Sequence, residues 1–301
     1  MKTLLLLLLI LFYSCCFAQQ RNATEAKEVS LKIKELDVLI AQQPKNYELY
    51  YNRAIYKKKN NDYDGAIADY NKAIALNPNA KSAYFNLANL YSTLGKNKEA
   101  AEKYTQAINV FPNSYDAYNN RGLLYKEFAL YSEAFRDFNK AIEINPKFAA
   151  AYRNRGNTYV DTGNDSLALI DFDKAIELQP HEALNFYSRA KVEAHQGNDD
   201  LALVDLNRSI LLQPKDAKSY NSRAVAKANL GQYNEAIKDF TRAIELRPHV
   251  ANSYVGRSLI ESILGRYDEA IADIKKALEF EPDNEEYKKN LELFMEQKNN
   301  Q

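Results

Sequence analysis

The eight prolines of the chain are Pro44, Pro78, Pro112, Pro146, Pro180, Pro214, Pro248 and Pro282, and every neighbouring pair is 34 residues apart. A chain that folds around one irregular core has no reason to space its loops evenly. A fixed period between about 20 and 50 residues instead means stacked supersecondary units, each too small to bury its own apolar face.

One unit runs from Tyr115 to Phe148. Its apolar residues fall at helical spacing on either side of a short break at Ala129, Leu130 and Tyr131. Tyr118, Leu124 and Tyr125 mark a first amphipathic helix, and Ala134, Phe138, Ala141 and Ile142 mark a second. Ser132 is the expected side-chain cap of the second helix. Pro146 ends that helix, because its ring has no amide hydrogen and forces Asn145 out of the helical region. The unit is a helix–turn–helix hairpin.

Aligning the units over 47–284 separates fixed columns from free ones. One column is alanine throughout: Ala66, Ala100, Ala134, Ala168, Ala202, Ala236 and Ala270. A second is Ala or Ser, from Ala73 to Ala277, and a third, on the first helix, is Ala, Gly or Ser, from Ala54 to Ser258. Small residues let helix axes approach closely, while aromatic neighbours such as Tyr50, Tyr84, Tyr118 and Tyr152 fill the remaining volume.

In length, hairpin form and the placement of aromatic, Gly/Ala, Ala and Pro columns, these units resemble the tetratricopeptide repeat. Tryptophan, usual in that family's first helix, is absent, and Tyr or Phe stands in its place. The resemblance implies an all-α, right-handed superhelical solenoid of seven repeats, bounded at 47–80, 81–114, 115–148, 149–182, 183–216, 217–250 and 251–284. It also implies that the first helices line a concave groove for a peptide or helix of a partner protein.

Outside the repeats, Lys2 precedes an aliphatic run from Leu4 to Leu11 and a stretch ending at Ala18, then Gln19 and Gln20. A positive start, a short apolar core and a small residue before polar sequence read as a signal peptide over 1–18, with export to the periplasm or beyond as the expected destination. Both cysteines, Cys15 and Cys16, lie inside it. Cleavage after Ala18 leaves no thiol; acylation at Cys15 or Cys16, the alternative, would tether the protein to a membrane. Residues 19–46 carry an amphipathic stripe of Ile33, Leu36, Leu39 and Ile40, and residues 285–301 carry Tyr287, Leu291 and Phe294. These are expected to be the capping helices that a solenoid needs at its ends.

Six units carry an Arg on the first helix (Arg53, Arg121, Arg155, Arg189, Arg223, Arg257) and an Asp on the second (Asp69, Asp137, Asp171, Asp205, Asp239, Asp273). The remaining unit loses both together, having Leu87 and Lys103. Joint loss predicts an ion pair within each hairpin, since a pair between hairpins would leave Asp69 facing Leu87.

The free columns point to binding. Asn52, Asn86, Asn120 and Asn154 repeat on the first helix, and an amide both donates and accepts, so it reads peptide backbone without demanding a side chain. Beside them the residue changes from unit to unit: Tyr51, Phe85, Asn119, Arg153 and Tyr187. One turn on stand Asn89, Asn157 and Lys191. These twelve residues are the candidate peptide site. Against a carboxylate clamp of the kind some tetratricopeptide proteins use, the window Arg153, Asn157, Ser188, Lys218 and Ser222 changes character at two of five positions, including the final cation, so tail-binding of that kind is not expected.

Catalytic signatures are lacking. His181 and His249 follow prolines in the turns, and Gly95, Gly163, Gly197, Gly231 and Gly265 recur at the hairpin turn instead of forming a phosphate loop. The 40 basic and 40 acidic residues are spread evenly, which leaves no footprint for nucleic acid. The sequence predicts a non-catalytic interaction scaffold without cofactor or metal. The competing expectations are self-association through the end caps, and small-molecule or glycan binding in the groove.

Overall fold

The structure, a computed structural model, describes residues 25–300. The expected signal peptide, both cysteines and the start of the N-terminal linker lie outside them. The described residues hold sixteen α-helices and no strand, in two compact units, Met1–Ile144 and Asn145–Gln301.

In the first unit, α1 (residues 25–42) precedes three hairpins: α2 (Tyr47–Lys59) with α3 (Tyr63–Leu76), α4 (Lys81–Thr93) with α5 (Asn97–Val110), and α6 (Tyr115–Glu127) with α7 (Tyr131–Ile144). The second unit holds four more: α8 (Ala149–Asp161) with α9 (Asp165–Leu178), α10 (Ala183–His195) with α11 (Asp199–Leu212), α12 (Ala217–Asn229) with α13 (Tyr233–Leu246), and α14 (Ala251–Ile263) with α15 (Tyr267–Phe280). Helix α16 (Glu285–Asn299) closes it. From α2 on, each helix packs against the next within its unit, and partners in a hairpin share the most contact.

The fixed small columns form the hairpin cores. Every residue of the invariant alanine column, Ala66 to Ala270, is fully buried. Opposite Phe138 and Phe172 the small residue is glycine: a Cβ on Gly122 would stand 2.8 Å from Phe138 Cε1, and one on Gly156 would stand 2.8 Å from Phe172 Cε1. Phe240 leans the other way, onto the next first helix, where a Cβ on Gly256 would meet its ring at 2.4 Å. The tyrosines at the head of the first helices also tie down the proline turns, since the Tyr50, Tyr152 and Tyr254 hydroxyls donate to the carbonyls of Pro44, Pro146 and Pro248 at 3.1, 3.3 and 3.1 Å.

The turns between partner helices take a left-handed residue. Gly95, Gly163, Gly197, Gly231 and Gly265 have φ between 69° and 80°, but Asn61 and Ala129 do the same work at 59° and 56°. At Ala129 the bonds Ala129 N–H to Lys126 O (2.9 Å) and Leu130 N–H to Tyr125 O (2.8 Å) close the helix end in the paired pattern that requires this conformation.

Two expectations are corrected. Ser132 does not cap α7; the helix already starts at Tyr131, which places Ser132 inside the first turn and in solvent. Leu39 is exposed on α1, because that helix has no first-helix partner in the described residues and buries only Val29, Leu36 and Ile40.

Candidate functional site

The paired Arg and Asp columns set the register on which the variable face is displayed. In all six hairpins the guanidinium grips the carboxylate with two bonds of 2.6 to 2.8 Å through Nε and Nη2. The third nitrogen reaches back to the preceding second helix or its equivalent: Arg53 Nη1 to Asp37 (2.6 Å), Arg121 to Thr105 (2.9 Å), Arg189 to Asp173 (2.6 Å), Arg223 to Asn207 (2.7 Å) and Arg257 to Thr241 (2.8 Å). Each of these arginines staples three helices. In the hairpin that lacks the pair, Leu87 is fully buried, and Lys103 Nζ takes over the reach to Asn71 Oδ1 at 3.3 Å.

With the register fixed, the free columns of the first helices bound shallow clefts. In the first unit one cleft, of about 390 Å³, includes Tyr51, Asn52, Lys81 and Ser82 in its lining. Another, of about 520 Å³, is lined by Asn89, Ser92, Asn120 and Leu123, among others. In the second unit a cleft of about 290 Å³ is bounded by Tyr187, Lys218, Asn221, Ser222, Arg247 and Asn252, with small neighbours.

The first unit brings seven of the twelve candidate residues onto its first helices. Tyr51 packs its ring at 6.0 Å from that of Tyr70, and its hydroxyl accepts from Asn86 Nδ2 at 2.9 Å. Phe85 stands edge-on to Tyr104 at 6.0 Å, with Lys81 Nζ 5.4 Å from its ring centre. Asn89 Oδ1 accepts a short bond from the Tyr104 hydroxyl, whose pKa burial pushes up to about 12. Asn52 is exposed and Asn120 half-buried. Asn119, expected on the variable face, is 5% exposed and donates to Asn120 Oδ1 at 3.2 Å.

The second unit holds the other five. Asn154 is 8% exposed, and its amide too is withdrawn from solvent. Arg153 is half-buried, and burial holds its pKa below the ordinary arginine value. Its Nη1 donates to Asn185 Oδ1 at 3.1 Å, while Asn185 Nδ2 donates to the carbonyl of Ala175 at 3.0 Å, which makes Arg153 part of the packing between hairpins. Asn157 and Tyr187 are half-buried and Lys191 is exposed.

Asn185 was missed by sequence reasoning. It occupies a column that is Ala83, Ala117 and Ala151 earlier in the chain and becomes Asn185, Ser219 and Ser253 later. That change was a usable signal, because all three are buried, and Ser253 Oγ donates to Asn221 Oδ1 at 3.0 Å as Arg153 does to Asn185. The lining residues Lys218, Asn221, Ser222 and Asn252 were likewise outside the expected site. Among the described residues no group of three or more His, Cys, Asp or Glu side chains is placed to hold a metal ion, and no helix is long and apolar enough to cross a membrane.

Comparison with known proteins gives the same architecture. Families described as tetratricopeptide repeat match residues 82–114, 115–148, 149–182, 217–250 and 251–284, and one described as TPR repeat matches 55–95. No curated protein matches the sequence. Among solved structures, a tetratricopeptide repeat protein from Parabacteroides merdae is 26% identical, with a TM-score of 0.62 over 83% of this chain and 98% of that one. YrrB, described as a TPR protein with an unusual peptide-binding site, is also 26% identical, with a TM-score of 0.50 over 61% of this chain and 95% of its own. PilW, a type IV pilus biogenesis factor, shares the fold at 21% identity and a TM-score of 0.64, over 72% of this chain and 99% of its own. With matches spanning well over half of its length, the chain belongs to the tetratricopeptide repeat family.

Proposed function

We propose that the chain is a non-catalytic adaptor that holds an extended peptide or a helix of a partner protein against the face its first helices present. The tetratricopeptide fold is commonly a scaffold for protein–protein interaction. The observation that carries the proposal here is that the clefts in both units take in residues of columns that vary between repeats, such as Asn52, Asn120 and Tyr187, while the invariant alanine column is buried in the hairpins. The clefts are shallow and mix amide, hydroxyl and aromatic groups, a composition that suits peptide backbone with a few side-chain anchors. The peptide-binding description of YrrB supports the same use of the fold.

The site of action follows from residues 1–18: export to a bacterial envelope, with lipidation at Cys15 or Cys16 as the variant outcome. Cell fractionation, with the intact mass of the mature protein, tests this part. A cytoplasmic protein that retains Met1 would end it.

Selection from a displayed peptide library tests the binding. Peptides taken on the wild type should lose about tenfold or more in affinity on an Asn52→Ala/Asn120→Ala/Lys191→Ala variant whose far-ultraviolet dichroism is unchanged. Peptides that bind both proteins equally would place the site elsewhere.

A further inference from the structure

The three clefts described above differ in charge. In the first unit each cleft that holds a cation also holds an acid: Lys81 stands with Glu48, and Lys126 with Glu127. Lys81 is further engaged by Asp116, at 2.8 Å. The cleft of the second unit is lined by Lys218 and Arg247 and by no acid. Both side chains are exposed, and neither pairs with a carboxylate among the described residues. The acid nearest in sequence, Asp216, is engaged at the start of α12, where it accepts from the Ser219 N–H at 3.0 Å and from Ser219 Oγ at 2.6 Å. Each cation also departs from the repeat. The column of Lys218 holds Glu48 and Asp116 in the first unit, and that of Arg247 is otherwise Asn, Gln, Phe or Glu.

The amides in the same cleft are set as donors. Asn221 Oδ1 accepts from Ser253 Oγ at 3.0 Å, and Asn252 Oδ1 accepts from the Tyr287 hydroxyl at 3.4 Å. What each amide has left to offer is its NH2 group. A ligand that meets two cations and two amide donors must bring acceptors and negative charge. We infer that this cleft holds acidic side chains of the partner peptide: neighbouring carboxylates of an extended segment lie between Lys218 and Arg247 and are oriented by Nδ2 of Asn221 and Asn252. Tyr187, half-buried in the lining, offers the acidic side chains' methylene groups an apolar surface. The same charges exclude a basic segment. The site is not a clamp for a chain terminus, since Arg247 comes from the turn before α14, and Ser222 stands where such a clamp ends in a cation. This ligand rests on the adaptor reading above and narrows it to acidic segments.

Selection on the purified chain from two displayed libraries tests the inference, both randomised except for a fixed central pair, Glu-Glu in one and Gln-Gln in the other. The Glu-Glu library should be enriched about tenfold more than the Gln-Gln library. Lys218→Ala/Arg247→Ala should keep its dichroism and lose that preference. Lys96→Ala/Lys98→Ala, which removes the same charge from exposed positions at the start of α5, should keep it. Lys218→Glu/Arg247→Glu should instead enrich a third library with a fixed Lys-Lys pair. Equal enrichment of the Glu-Glu and Gln-Gln libraries would overturn the acidic ligand and leave the adaptor reading standing. A preference that survives in Lys218→Ala/Arg247→Ala, or disappears in Lys96→Ala/Lys98→Ala as well, would mean general attraction to the chain and not this cleft. Enrichment from none of the libraries would end both readings.

Discussion

The Arg121 guanidinium meets the Asp137 carboxylate through two parallel bonds of 2.7 Å, with Asp137 buried and Arg121 largely shielded. Removing one partner strands the other charge in a poorly solvated place, whereas removing both leaves an apolar contact. Asp137→Ala should therefore cost about 3–5 kcal/mol, and Arg121→Met/Asp137→Leu less than half of that. Urea unfolding of the four proteins of this cycle measures the difference. If the double variant is as unstable as Asp137→Ala, the pair contributes attraction and not mainly register.

At Ala129 the backbone takes φ 56°, where the equivalent turn residue in five other hairpins is glycine. An L side chain is disfavoured in that conformation, and the surrounding bonds from Ala129 N–H and Leu130 N–H leave the turn no other choice. Ala129→Gly should stabilise the protein by about 0.5–1 kcal/mol, read as a higher urea midpoint at unchanged slope. Gly163→Ala should move the midpoint the opposite way.

Gly122 faces Phe138 so closely that an added Cβ would lie 2.8 Å from the ring. Gly122→Ala should cost about 1–3 kcal/mol through overpacking. Combining it with Phe138→Leu should recover part of the loss, because the hairpin with Ala190 already buries Leu206 in the same column. A Gly122→Ala variant as stable as the wild type would show that the ring simply swings aside.

Periodicity made the fold legible, since a residue that recurs every 34 positions declares its environment seven times over. The small columns and the Arg–Asp pairs were readable for this reason, even down to the joint loss at Leu87 and Lys103. The candidate site was less legible, because contact between neighbouring hairpins depends on single residues that do not recur. Nothing local to Arg153 announces that Asn185 will hold it, and nothing local to Asn119 announces burial beside Asn120. Gly256 is the space that Phe240 needs, which nothing in its own repeat announces. Ser132 misled because a capping residue was sought by type, while the helix begins one residue earlier.

Tyr70 and Tyr104 carry the consequence of that packing into alkaline solution. Burial pushes both phenols from the ordinary 10.0 up to about 12. A pKa raised on folding means that the stabilisation is complete below pH 10 and drains away as the pH rises through about 12, because the unfolded chain loses those protons first. Each phenol should account for about 2–3 kcal/mol of the stability lost across this window. Absorbance at the tyrosinate band should show a late group, Tyr70 and Tyr104 among it, that ionises only with unfolding. In Tyr70→Phe/Tyr104→Phe the late group should shrink by two and the alkaline slope of stability should flatten. At neutral pH the variant should lose stability mainly where Tyr104 no longer donates to Asn89. An unchanged alkaline slope would mean that other groups govern high-pH unfolding.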